Sequence, residues 1–413
     1  MNHPASAWVQ QGIFGALNFV VAVPVVYLLL GLPLVMREHG WSALDIGLFQ
    51  LVGLPAVFKV LLAVPVERRR QPVRHYLRWA MGCGVLYVAV LLGFAVVNPD
   101  QRQWLVILAL ATALIATWVD IPINALAIGV LPAQERMRAG SVRASVLFLS
   151  AVVGGGVLLV LYAHAGWAAP FYAMAAMMAV SLGTLVLLPV AASEDTPGNQ
   201  PEASMTLPRL NLRGFVNRPG AWAWLALLAL HFPFVAATWV FTKPLLLDLG
   251  LSTTQVAWWV GVLGGGVGAV AAFTGSAVIR RYGVRRAIPW LMSLDAVGIG
   301  VLAAGLVMQA PIGVLLVGML LVAAGVGSSS ALGFGLSMHY ARPAYRALDY
   351  GLQASLVTLT RLLVAPLAGY LQSQWGYGGM LIALALAATA VLVLSLRLRD
   401  ALAVDVEPGM QRS

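Results

Sequence analysis

Four ionisable side chains stand in stretches of chain that are otherwise apolar: Lys59, Asp120, Asp295 and Arg361. A charge in such surroundings is costly, so it needs a partner, a proton or a ligand. Lys59 follows Gly53-Leu54-Pro55 and precedes Glu67 by eight residues, which places it roughly 12 Å inside the end of its helix. Asp120 has Asn124 four residues on, hence on the same helical face. A carboxyl whose charge depends on a lysine can couple proton entry to a change of packing, and the same two residues can instead form a structural bridge. Arg361 finds no acidic or aromatic neighbour nearby on its own helix. A guanidinium grips a carboxylate through two parallel hydrogen bonds, so it suits an anionic ligand, or it serves as counter-ion to Asp120 or Asp295. His231 opens the run His231-Phe232-Pro233. Histidine changes charge near neutral pH, and the proline frees a carbonyl and kinks its helix. Asp295 reads as structural. Asn18, Gln50, Trp118, Trp239 and Gln353 are weaker candidates for lining a cavity.

The elements that hold these residues are membrane spans. Apolar residues make up 61% of the 413, charged residues 10%, and the mean hydropathy is +0.88. A bilayer hides that much apolar surface, because a helix of about 20 apolar residues satisfies its own backbone and crosses the hydrocarbon. The pattern predicts an all-α integral membrane protein of about twelve spans. They fall near 12–35, 45–66, 77–97, 103–131, 141–163 and 168–191, then 220–247, 254–279, 286–309, 311–337, 348–372 and 377–397. This gives a first six-helix half over 1–191, a linker over 192–219 rich in turn formers, a second half over 220–398 and a tail over 399–413.

The net charge of +10 is no nucleic-acid signature, because the basic residues fall in alternate loops: ERRRQPVRHYLR after span 2, ERMR after span 4, RRYGVRR after span 8, and Arg342 and Arg346 after span 10. The positive-inside rule then puts both termini in the cytoplasm. Cys83 is the sole cysteine, so it builds neither a disulfide nor a metal site. No paired metal ligands occur at helical spacing, and no cofactor is expected. The run Gly325-Val326-Gly327-Ser328-Ser329-Ser330 lacks the Lys-Ser/Thr of a phosphate loop. Gly154-Gly155-Gly156 and Gly264-Gly265-Gly266 read as close helix packing. A membrane enzyme or a receptor-like scaffold would be the reading of another class, but clustered nucleophile, base and metal residues are lacking, so no enzyme is expected. Without an ATPase module, energy must come from a gradient or a partner protein.

The halves repeat. Trp41-Ser42 matches Leu251-Ser252 and Ala144-Ser145 matches Ala354-Ser355, both 210 residues apart (251 − 41; 354 − 144). Two six-helix halves around a basic linker is the layout of a parallel-repeat secondary transporter, which works by alternating access to a midplane site. The run from Gly275 to Arg286, with Arg281, Gly283 and Arg285, resembles the gating-loop motif of the major facilitator superfamily, with Arg280 in place of its aspartate. The matching run Ala63–Arg68 carries Glu67 for the aspartate, followed by Arg68.

A closer resemblance covers spans 2, 4 and 11. GLFQLVGLPAVFKVLLAVPVER, VDIPINALAIGVLPAQER and YGLQASLVTLTRLLVAPLAGYL are similar to the muropeptide permease family. That wider family also holds siderophore permeases of the pyochelin and rhizobactin type and acetyl-CoA transporters. The resemblance implies that span 4 lines the cavity. This chain departs from the muropeptide branch: Asn124 replaces an aspartate, Phe148 stands where an arginine is usual, and His231-Phe232-Pro233 stands where span 7 bears Lys and Asp. Lost charge and gained aromatic character imply a proton-coupled importer of a ferric siderophore. The alternative is a permease for muropeptides or another anionic metabolite. Either works as a monomer in the bacterial inner membrane, with a small-molecule substrate, protons and lipid as its partners.

Overall fold

The structure, a computed structural model, describes residues 4–41, 45–46, 49–67, 72–98, 100–188 and 212–410. Among the described residues the regular structure is helical throughout. In chain order the apolar helices are α1 (Ala7–Glu38), the short α2 (Leu51–Ala63), α3 (Val73–Val96), α4 (Arg102–Val130), α5 (Ala133–Ala165) and α6 (Ala168–Leu187). After the linker come α7 (Ala221–Asp248), α8 (Ala257–Tyr282), α9 (Val284–Val307) and α10 (Ile312–Tyr340). The last apolar stretch, Arg346–Leu402, leaves helical geometry at Gly376 and so contains two spans, α11 before the kink and α12 after it.

Glycine marks the turns. Gly40, Gly166, Gly250 and Gly376 all have positive φ, a conformation that costs other residues dearly. Gly40 with Gly250, and Gly166 with Gly376, are each 210 residues apart (250 − 40; 376 − 166), so the backbone repeats with the period read from the sequence.

Two helices break beside candidate residues, Lys59 and His231. Gln50–Phe58 winds as a 3₁₀ helix and turns α-helical at Lys59. Pro55 lacks an N–H and its ring obstructs the ordinary ladder, so this stretch stays tight. In α7, Ala221–His231 and Pro233–Asp248 are separate helices joined at Phe232.

The chain forms two compact units, each taking a short piece from the other half of the sequence. Unit 1 is Met1–Pro132, Leu149–Leu210 and Ala341–Ser355; unit 2 is Ala133–Phe148, Asn211–Tyr340 and Leu356–Ser413. The donated pieces contain the first turns of α5 and α11, which are repeat equivalents. The core of unit 1 centres on Phe94 stacked on Phe171 at 4.7 Å, with Tyr27 edge-on at 5.7 Å. Such aromatic pairs add to the area they bury. Small residues set the helix approach: a Cβ on Gly154 would stand 2.9 Å from the Val23 carbonyl, and one on Gly264 would stand 2.5 Å from the Trp239 ring. The core of unit 2 gathers Val235, Ile299, Leu302, Met319, Met380 and Leu381. Large apolar side chains point outward, Val96 at 81% and Leu386 at 67% exposure, as lipid-facing residues do.

Candidate functional site

In unit 1, Lys59 and Asp120 are buried and form an ion pair in which the ammonium donates to Oδ2. The Lys59 ammonium also lies 5.2 Å from the centre of the Tyr350 ring, which belongs to the piece donated by α11. Next to it, the Val60 N–H donates to Ser355 Oγ at 2.9 Å. The 3₁₀-to-α joint leaves such N–H groups without a ladder partner, and α11 supplies one. Asn124 Nδ2 donates to the main-chain oxygen of Asp120 at 2.6 Å, and Gln353 Nε2 to that of Asp349 at 3.0 Å. A buried pair of this kind adds little net stability, yet losing one member strands the other.

A second carboxylate of unit 1 is buried against the same piece of α11. Glu67 is fully buried; Tyr76 O–H donates to its Oε1 at 2.6 Å and the Leu348 N–H to its Oε2 at 2.8 Å. Leu348 lies in the first turn of α11, where N–H groups lack helical partners and attract anions. Burial pushes the Glu67 carboxyl up from its ordinary 4.5 to about 7, against the pull of Tyr76 and of the Leu348 and Ala347 N–H groups. Beside it, Arg342 grips Asp349 with two side-chain hydrogen bonds of 2.7 Å. The repeat-related place in unit 2 has inverted charge: Arg280 stands in the place of the motif's aspartate, and the first turn of α5 carries Glu135, which pairs with Arg138 at 2.7 Å. Gly283, at φ 75°, turns the chain between α8 and α9. Arg281 lies over Tyr282 at 5.5 Å, and the exposed Arg285 pairs with Asp400 at 2.6 Å.

Unit 2 holds Arg361, which is exposed and has its guanidinium 5.5 Å from the centre of the Phe232 ring. No carboxylate among the described residues pairs with it. Phe148, Phe234, Trp239, Phe241 and Trp259 are half-buried and pack on the same core as Phe232. His231 is buried, its ring set against main-chain oxygens of α7 and α10. Asp295, read as structural, is also buried and accepts a hydrogen bond of 2.7 Å from Ser329 Oγ.

The weaker candidates scatter. Asn18 Nδ2 turns back on the Phe14 carbonyl at 2.8 Å, and Trp118 packs on Trp79 with its indole N–H buried and unpaired. Arg68 and the side chain of Gln50 lie outside the described residues. Sequence reasoning passed over Tyr76, Tyr350, Ser355, Asp349 and Ser329. Asp349 carries a local signal, an acid in a first helical turn. Ser329 lies in the run Gly325–Ser330, which reads only as a failed phosphate loop.

A family model described as Major Facilitator Superfamily matches residues 13–294. The anhydromuropeptide permease of Escherichia coli (strain K12) is 25% identical over 373 residues, spanning 84% of this chain and 73% of the relative, and its counterpart in strain O157:H7 matches equally. A solved bacterial homologue of the iron transporter ferroportin, in the outward-facing state, shares 15% identity at TM-score 0.70 and covers 95% of this chain and 99% of that one. The proton:xylose symporter XylE bound to 6-bromo-6-deoxy-D-glucose shares 14% at TM-score 0.73, covering 96% of each chain. At such identities the two structures speak for the fold. The chain, with its multi-pass helical fold, therefore belongs to the Major Facilitator Superfamily and is a secondary transporter.

Proposed function

We propose that this transporter is a proton-coupled importer of an anionic, aromatic-rich solute, a ferric siderophore of the pyochelin type, in the bacterial inner membrane with both termini in the cytoplasm. The observation that carries the reading is Arg361: a guanidinium with no carboxylate partner among the described residues, laid on Phe232, whose core holds further half-buried aromatic side chains. A cargo phenolate or carboxylate supplies the missing charge, and its rings find aromatic faces. Lys59 and Asp120 carry the coupling. A proton on Asp120 cancels its hold on Lys59 and leaves a buried ammonium, so α2, α4 and the α11 piece that carries Tyr350 must repack. The cost of that repacking links proton entry to the change of access. Glu67, which accepts from the first turn of α11, and Arg281, Gly283 and Arg285, at the turn between α8 and α9, serve as the gates.

The second reading is import of a muropeptide, favoured by the 25% identity to the anhydromuropeptide permease over most of the chain. Uptake of radiolabelled ferric chelates and of radiolabelled muropeptides, in cells lacking and then regaining the gene, separates the two. Restored chelate uptake alone supports the first reading, and restored muropeptide uptake alone overturns it in favour of the second.

A further inference from the structure

We propose that Asp295, Ser329 and His231 form a second proton-binding site, in unit 2 and separate from the Lys59–Asp120 pair. The inference rests on the reading of this chain as proton-coupled, and it adds a second proton to the cycle.

The argument begins with hydrogen-bond accounting. Asp295 is 3% exposed, and one carboxyl oxygen, Oδ2, accepts the Ser329 hydroxyl. The other, Oδ1, is buried with no hydrogen-bond partner. No cation of the described residues pairs with it. A buried carboxylate so poorly served is expensive unless it holds a proton or faces a positive charge. Gly325 makes room for that oxygen: a Cβ there would stand 2.3 Å from Oδ1.

His231 is 4% exposed and meets acceptors at both ring nitrogens. Its Nδ1 lies 3.2 Å from the Leu227 and Leu228 carbonyl oxygens, and its Nε2 lies 3.2 Å from the Ser329 carbonyl oxygen. A carbonyl only accepts, and a neutral imidazole has one N–H to give, so only the imidazolium satisfies both contacts. Ser329 thus touches both groups, the carboxyl through its hydroxyl and the imidazole through its carbonyl. A single proton on either group keeps the buried pair neutral: acid with neutral imidazole, or carboxylate with imidazolium. Loss of that proton leaves a bare carboxylate in the membrane, so the site holds one proton firmly and releases it when its surroundings change.

The surroundings can change because the site is built on a joint. His231 ends the first half of α7, and Pro233 starts the second. Bending there moves His231 against Ser329. Phe232, between them, carries the Arg361 guanidinium on its face. Cargo at Arg361 therefore acts on the same joint as the proton.

His231 is the titratable group that faces Asp295 through Ser329. The other charged residues on the packed helices stand more than one turn from the residues touching Asp295: Arg285 and Arg286 on α9, Arg280 and Arg281 on α8, Lys243 and Asp248 on α7, and His339 on α10. Arg143 of α5 lies over Phe334, next to Gly333, whose added Cβ would stand 3.3 Å from His231 Nε2.

Infrared difference spectra between acid and alkaline pH, on full-length protein in lipid nanodiscs without cargo, test the site. The expected result is a protonated-carboxyl band that titrates, disappears in Asp295→Asn and persists in Asp120→Asn. Its midpoint moves by about one pH unit in His231→Gln and in Ser329→Ala. Ser329→Ala, a milder change, keeps the test open if Asp295→Asn does not fold. A band that survives Asp295→Asn, that never titrates between about pH 4 and 10, or whose midpoint is unmoved in His231→Gln and Ser329→Ala overturns the proposal. Cargo plays no part in this measurement, so loss of the Lys59–Asp120 account in transport assays leaves its outcome standing, and the reverse holds too.

Discussion

Removing one member of the Lys59–Asp120 pair should cost more than removing both. Asp120→Asn or Lys59→Met alone leaves a buried charge or polar group uncompensated, a loss of about 3–5 kcal/mol, whereas the double change to apolar residues recovers most of it. Thermal unfolding of purified variants reads this directly, and a double variant no steadier than the worse single one would contradict it. All three should fail to accumulate cargo, because the switch is gone even when the fold is sound. Arg361 makes a second residue-scale prediction. Arg361→Ala should weaken cargo binding by roughly tenfold to over a hundredfold, the worth of one charge-assisted contact, and Arg361→Lys should recover only part, lacking the planar fork. Calorimetry on purified protein decides; unchanged affinity in an unstable Arg361→Ala variant would make this arginine structural. Of these groups, the ionisable ones were legible as isolated charges in apolar sequence. Their partners were not: Tyr350, Ser355 and Ser329 look like ordinary helix residues until the fold brings them across hundreds or tens of positions.

At the scale of elements, Glu67 and α11 form a joint that responds to pH. The carboxyl titrates at about 7 where it packs under the first turn of α11, and at its ordinary 4.5 once solvated. Its pKa is raised by packing, so the contact is strongest below about 4.5 and weakens as pH rises through 7, by an amount on the order of 3 kcal/mol. Spin labels at exposed Arg78 and Pro343, in a background with Cys83 replaced by alanine, should report a longer distance population that grows as pH rises from about 4.5 through 7 and then levels off. Glu67→Gln, which cannot ionise, should flatten that dependence; a distance unaffected by pH in the unaltered protein would contradict the account. The α7 break predicts that Pro233→Ala, by restoring a ladder hydrogen bond, straightens the helix and slows transport more than it weakens binding. The break itself was visible as His231-Phe232-Pro233. The 3₁₀ winding of Gln50–Phe58 was not, because Gly53-Leu54-Pro55 in an apolar run also fits an ordinary kinked span.

For the whole molecule, spans and repeat were the most legible features, since bilayer thickness and backbone satisfaction leave few alternatives to long apolar helices. The exchange of the first turns of α5 and α11 between compact units had no sequence signal. The central claim is that a proton on Asp120 drives uphill movement of an anionic cargo. Reconstituted liposomes with an inwardly directed pH gradient and a radiolabelled ferric chelate outside test it most directly. The account predicts accumulation that collapses with the gradient, and an Asp120→Asn variant that still exchanges chelate across the membrane but no longer accumulates it. Accumulation that survives loss of the gradient, or survives Asp120→Asn, would contradict it.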